Sequence, residues 1–238
     1  MKKNIVLFWP RIRILGEFLK KTLISLALAA TLINSGLSTA SAADENYAIV
    51  QQMTEFGIDA ATQAAILDNL ARGIIPLSDV AGSNPISQTE KIVDGYQLVT
   101  STYADGSVKQ VMSEVPTNPR LRSAYQTGCW QYAYTGYTNY RNCSIVNVTT
   151  LVTMGFLADY TIYGGTYNDA IDRVYSTSFT CRGGTCSDTN LVIQKAKEST
   201  SGPADARMSL TYNIYLGLGS STYSLDLQVG SNKATVIG

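Results

Sequence analysis

The chain has no histidine. That absence excludes Ser-His-Asp and Cys-His nucleophile systems, imidazole general bases and His-ligated zinc within it. Any catalysis would fall to carboxylates, Tyr, Lys or Cys. Charge is scarce as well: 15% of 238 residues are charged, and no basic stripe of the kind that tracks a phosphate backbone occurs. Nucleic acid is therefore not an expected partner. Cysteine is limited to four residues, and no CxxC pair is among them, which argues against a zinc knuckle and a dithiol redox centre. Gly164-Gly165 follows an apolar run, but no Lys-Ser/Thr comes after it, so it is not a phosphate loop. No cofactor, no metal and no catalytic residue are expected.

The N-terminus reads as a targeting segment. Lys2, Lys3, Arg11, Arg13, Lys20 and Lys21 form a basic region, Thr22 to Ile33 a short apolar run, and Ser38 to Ala43 a stretch of small residues. Positive charge stays inside, the apolar run enters the translocon, and only small side chains fit the protease slot. Ala40-x-Ala42 is the expected cleavage site, which makes residues 1–42 a signal peptide. The apolar run is shorter than the ~20 residues that span hydrocarbon, so no stable membrane anchor is expected once the leader is removed. No cysteine follows it to carry a lipid. The expected location is secreted, extracellular.

From Ala43 onward the chain carries 12 Lys+Arg against 17 Asp+Glu, a net of −5. Residues 43–115 hold 3 basic and 10 acidic groups, and residues 116–238 hold 9 and 7. The acid thus concentrates in the first part, and the second part is close to neutral.

Residues 46–73 predict two short helices. Ile49, Val50, Met53 and Phe56 recur at helical spacing and Gly57 can end the first helix. Asp59 is placed to cap the second, with Ile66, Leu67 and Leu70 on one face and Gly73 as the stop. After an irregular link the period becomes two. Lys91 to Val93, Tyr96 to Tyr103 and Val108 to Val115 are separated by Asp94-Gly95 and Asp105-Gly106, a strong hairpin signal. These residues predict a β-meander. Pro116 to Pro119 begin a linker, placed at 116–127.

Residues 128–238 predict strands throughout. Met208, Leu210, Tyr212, Ile214 and Leu216 alternate with polar neighbours. After a Gly- and Ser-rich turn, Tyr223, Leu225, Leu227 and Val229 do the same. Such strands bury one face and wet the other, as in an antiparallel sandwich. Seven or eight strands in ~110 residues suit a β-sandwich. A closed β-barrel is the alternative. The fold class is thus α+β: a helical hairpin and β-meander (43–115), then an antiparallel β-sandwich (128–238).

Cys129, Cys143, Cys181 and Cys186 all lie in that last segment. In an exported chain an even number reads as disulfides, with three pairings open. Local pairing is favoured, Cys129 with Cys143 and Cys181 with Cys186, because Arg182 to Thr185 reads as a hairpin tip. Closing loops of these lengths stabilises by roughly 3 and 2 kcal/mol on the chain-entropy model.

Four segments, GIDAATQAAILDNLARG (57–73), TYADGS (102–107), CRGGTC (181–186) and SGPADAR (201–207), resemble a family of exported proteins of Gram-positive bacteria. The resemblance implies a short helical N-terminal segment and a β-meander before a Cys-containing β domain. It implies no activity and transfers no functional residue.

Two patterns bear on function. Asp169 and Asp172 are the closest carboxylate pair of the C-terminal segment. A glycosidase needs two carboxylates across a cleft, and a calcium loop needs several oxygens, but turn-capping aspartates explain the pair as well. The second pattern is aromatic. Trp130, Tyr132, Tyr134, Tyr137 and Tyr140 fall within a few residues of one another. Trp130, Tyr132 and Tyr134 share one face of an extended strand. Such aromatics are either core or, if exposed, a surface for sugar rings or a partner protein. The sequence favours a secreted, non-enzymatic binding module for cell-wall polysaccharide or another protein. A carboxylate-based extracellular hydrolase and a secreted bacteriocin-like antagonist are the alternatives.

The leader generates one expected outcome. Secreted protein begins at Ala43 or within a few residues of it, which N-terminal sequencing of extracellular material checks.

Overall fold

The computed structural model describes residues 42–117, 128–165, 167–214 and 219–238. The expected leader lies outside the described residues except for Ala42, where the first helix begins. So do residues 118–127 of the expected linker and Tyr215 and Leu216 of one predicted strand.

Helix α1 spans Ala42–Glu55 and α2 spans Ala60–Ala71. Gly57, at φ +74°, turns the chain out of α1, and the Ile58 N–H donates back to the Met53 carbonyl. Asp59 caps α2 as its sequence position predicts: its Oδ1 accepts from the Ala61 and Thr62 N–H groups, both at 3.0 Å. The apolar faces of the two helices turn into the core through Ile49, Met53 and Ile66.

The meander comprises β1 (Ser87–Val93), β2 (Tyr96–Thr102) and β3 (Val108–Glu114). Asp94 and Gly95 both take positive φ in a two-residue turn. The second Asp-Gly turn differs. It runs from Tyr103 to Ser107, and of its Asp-Gly pair only Gly106 is left-handed. Asp105 instead bends back to accept from Ser107 N–H and Oγ–H at 3.0 and 2.6 Å.

Eight more strands follow: β4 (Trp130–Tyr134), β5 (Tyr137–Val148), β6 (Val152–Tyr163), β7 (Ala170–Cys181), β8 (Gly184–Lys195), β9 (Ala204–Ile214), β10 (Ser220–Gly230) and β11 (Lys233–Ile237). Neighbours pair antiparallel in two sheets. One has seven strands, ordered β1-β2-β3-β5-β6-β7, with β4 beside the first half of β5. The other has four, ordered β11-β10-β9-β8. β3 pairs with the second half of β5, so the meander and the later strands share one sheet. The molecule is mostly β, with the sheets face to face. The closed barrel held as the alternative is not formed.

The alternation in β9 and β10 buries Met208, Leu210, Tyr212, Tyr223, Leu225, Leu227 and Val229, as the period-two pattern requires. Ile145, Met154, Phe156 and Ile171 face them from the larger sheet. Both disulfides pair locally, Cys129 with Cys143 and Cys181 with Cys186. The expected hairpin tip between Cys181 and Cys186 is corrected: β7 and β8 belong to different sheets, and this disulfide ties the crossover between them. Gly183 in that crossover has φ +66°, and a Cβ there would lie 2.6 Å from Ile49 of α1. The left-handed φ favours glycine there, and a Cβ would in addition push the end of the Ile49 side chain aside.

Asp79, in the 3-10 turn Leu77–Asp79, joins these parts. The residue is buried, 5% exposed. Oδ1 accepts from the Thr149 hydroxyl, from Tyr223 OH at 3.0 Å and from Leu151 N–H at 3.3 Å; Oδ2 accepts from Ser78 Oγ at 2.7 Å. Thr149 and Leu151 lie in the β5–β6 turn and Tyr223 on β10, so one side chain bonds to both sheets. The turn that carries it is gripped in its own right: Leu77 N–H donates to Asp105 at 2.7 Å and Ser78 N–H to Ser107 Oγ at 2.9 Å.

Burial pushes the Asp79 carboxyl above the ordinary carboxylate range, against the pull of its four hydrogen bonds. Burial also holds Lys109 and Arg182 below their ordinary values, against the pull of nearby acids that include Asp79. An acid whose folded value is raised favours the fold most when protonated. Its contribution is full below the ordinary range and falls as pH rises through the raised value. Asp79→Asn keeps an oxygen for Tyr223, Thr149 and Leu151 and removes the titration. The melting temperature of the variant relative to wild type should therefore rise as pH increases from about 4 toward neutral. Asp79→Ala orphans the buried donors and should cost about 2–4 kcal/mol in denaturant titrations.

Candidate functional site

Aromatic residues favour the pleated, half-buried surface of a strand, and β4 and β5 carry them on one hairpin. Cys129 and Cys143 close its open end. The register pairs Trp130 with Arg141, Tyr132 with Asn139 and Tyr134 with Tyr137. Directly opposed residues share a face, so Trp130, Tyr132, Tyr134, Tyr137, Asn139 and Arg141 lie together. β6 continues the same face with Thr161 and Tyr163, opposite Asn139 and Tyr137. This is the outer face of the seven-stranded sheet, because Tyr140, Tyr160 and Ile162 on the opposite face pack with the core.

The outer face holds two features side by side. The first is an aromatic row. Tyr134 stacks on Tyr137 with centroids 4.8 Å apart and planes 17° from parallel, and Tyr137 meets Tyr163 at 5.8 Å. Trp130 and Tyr132 form a tilted pair at 5.7 Å. Tyr134 is 52% exposed and Tyr163 38%, while Trp130, Tyr132 and Tyr137 are half-buried. The indole N–H of Trp130 is buried and has no hydrogen-bond partner among the described residues. Tyr140 leaves the row: it lies on the inner face, stacked on Tyr160 at 4.7 Å. Burial raises the hydroxyl pKa of both, that of Tyr160 strongly.

The second feature is a closed polar network. Asp159, buried at 7% exposure, accepts from the Asn142 N–H at 2.8 Å, from the Arg173 guanidinium at 2.8 and 3.1 Å, and from Tyr175 OH at 3.2 Å. The Arg173 guanidinium lies 4.2 Å from the Tyr175 ring centroid. Beside it, Asp172 takes Arg141 at 2.6 Å and Thr161 Oγ at 2.7 Å, and Thr161 also meets Asn139 at 2.9 Å. Each arginine is matched to an aspartate, so the face presents polar groups with little net charge.

The Asp169–Asp172 pair of the sequence does not meet. Asp172 lies on the outer face. Asp169 is fully buried, accepting from Tyr163 N–H at 2.7 Å and from Asn232 N–H at 2.9 Å in the β10–β11 turn. Among the described residues no group of three or more Cys, Asp or Glu side chains is arranged to hold a metal. A cleft of about 400 Å³ opens between the sheets, with Tyr140, Tyr160, Ile162, Leu227 and Val236 on its walls and Glu90 and Glu114 near them. Glu90 is exposed and held by Gln97 Nε2 at 2.6 Å, and Glu114 accepts from Ser144 N–H at 3.4 Å. The sequence points to the aromatics but not to this network, whose members are spread from 139 to 175.

Comparison with protein-family models, with curated proteins and with solved structures finds no match.

The polar network should behave as support for the face. Asp159→Ala leaves the Asn142 N–H without its acceptor and should destabilise by about 2–3 kcal/mol. Tyr134→Ala removes an exposed ring and should cost under about 1 kcal/mol. Urea unfolding of the two variants compares them.

Proposed function

We propose that the chain is an exported, non-enzymatic binding module whose outer sheet face recognises an uncharged surface, with cell-wall polysaccharide as the first ligand class. The leader signature supports export, and two disulfides suit an oxidising compartment. One observation carries the ligand class: the Tyr134–Tyr137–Tyr163 row stands half-exposed across a disulfide-closed hairpin and the strand beside it, next to polar groups whose charges are already paired. Sugar rings offer C–H faces to an aromatic ring and hydroxyls to neutral or paired polar groups. An anionic polymer would instead call for free cations, and Arg141 and Arg173 are committed to Asp172 and Asp159. Tyr134 is the contact ring: one side is stacked on Tyr137, and it is the most exposed ring of the row. A protein surface of similar chemistry is the other ligand the face would accept.

The test is depletion of disulfide-intact protein by insoluble peptidoglycan, chitin and cellulose. Tyr134→Ala and Tyr163→Ala should each weaken binding about tenfold, the worth of one aromatic contact. Tyr140→Phe, altered on the inner face, should bind as wild type. Failure of wild type to bind any of the polymers, or parental affinity in both alanine variants, overturns the proposal.

A further inference from the structure

The seven-stranded sheet ends at β1. Asp94 and Gly95, at φ +51° and +83°, close a two-residue turn between Val93 and Tyr96. In that turn type the flanking residues exchange both backbone hydrogen bonds. Alternation then points the N–H and C=O of Val93, Lys91, Thr89 and Ser87 toward β2. Those of Ile92, Glu90 and Gln88 point away from the sheet, with no backbone partner among the described residues. An edge is blunted by a proline in the strand, a bulge, a covering segment or charged side chains, and of these β1 carries the charges of Glu90 and Lys91, which restrict the register it can accept. β1 has no proline, its register with β2 is unbroken, and every residue from Ser87 to Ile92 is exposed.

We propose that β1 pairs antiparallel with β1 of a second copy, with Thr89 facing Thr89, to join two seven-stranded sheets into one. A two-fold axis perpendicular to a sheet keeps each residue on its own face, so some residue must face itself. Centring on Glu90 or on Lys91 sets like charges directly opposite, which destabilises. Centring on Gln88 leaves Ile92 beyond the paired stretch. Centring on Thr89 avoids all three. Gln88 of each copy then faces Glu90 of the other, and both residues have outward backbone groups, so four hydrogen bonds form about the axis. The Gln88 amide lies opposite the Glu90 carboxylate, and Lys91 lies opposite Ser87. Ile92 comes level with Ile86 of the second copy; these are two strongly exposed isoleucines, at 72% and 69%.

Sedimentation of the purified, disulfide-intact protein should show a reversible dimer. Glu90→Pro removes an outward N–H and leaves the β1–β2 ladder whole, so it should weaken the dimer about 100-fold without changing the circular dichroism. Thr89→Cys places two thiols across a non-hydrogen-bonded pair, Cα atoms ~4.5 Å apart, and should give a reductant-sensitive covalent dimer. Lys91→Cys, on the same face two residues along, should not. A monomer up to millimolar concentration, a dimer indifferent to Glu90→Pro, or cross-linking at Lys91→Cys or Glu90→Cys in place of Thr89→Cys overturns the assignment.

Discussion

The interface between two sheets packed face to face is apolar and not directional; backbone hydrogen bonds tie them here at the β7 edge, where Ile171 N–H donates to the Ala196 carbonyl and Glu198 N–H to that of Asp169. Left to side-chain packing alone, one sheet can slide on the other at modest cost. The Asp79 carboxylate removes that freedom at one end of the sandwich. It bonds to the β5–β6 turn of one sheet and to Tyr223 of the other, and hydrogen bonds demand distance and direction. It also fixes the segment between the helices and the meander, whose 3-10 turn hangs on Asp105 and Ser107. Desolvation makes this an expensive place for an acid, and only the full set of donors makes it tolerable. The Cys181–Cys186 bridge does the same at the crossover, where the chain leaves one sheet for the other.

Much of this was legible in the sequence where a local rule operates. The Asp59 cap, the Gly57 exit, the Asp94-Gly95 turn and the alternation of β9 and β10 each follow from a few neighbouring residues and stand as expected. Long-range pairing was not legible. Nothing local says that β3 lies beside β5, or that β7 and β8 part company after Cys181. The CxGGxC-like loop reads equally as a hairpin tip and as a crossover, because two close cysteines constrain only the ends of the loop. β11 has no alternation of its own to mark its bounds, because Lys233 to Ile237 is short and mostly exposed. Asp79 gave no signal at all. Its burial depends on Thr149 and Tyr223, 70 and 144 residues away.

The candidate face was half legible. Parity along one strand places Trp130, Tyr132 and Tyr134 together, and they are together. Parity across the hairpin adds Tyr137 and removes Tyr140, and that requires the Tyr134–Tyr137 register. Tyr163 joins only through β6. The row is therefore a property of three strands, of which the sequence displays one.

The polar half of the face follows from two register slips: one between Asp159 and Tyr160, which leaves Asp172 unpaired and turns both Asp172 and Arg173 outward, and one in β5. The β5–β6 register slips between Tyr140 and Cys143, and Asn142 sits there at φ +57°, a conformation that asparagine tolerates better than most side chains. Without the slip Arg141 and Cys143 would share a face. With it Arg141 points outward to Asp172, and Cys143 turns into the core to meet Cys129. The bulge also takes the Asn142 N–H out of the ladder. Asp159 accepts it, and the same carboxylate then fixes Arg173 and Tyr175. The residue inserted in β5 thus lets the disulfide close the aromatic hairpin from the inside, and together with the β6–β7 slip it builds the polar ground beside the rings on the outside. Rings and polar groups are held before any ligand arrives, so binding would forfeit little side-chain entropy.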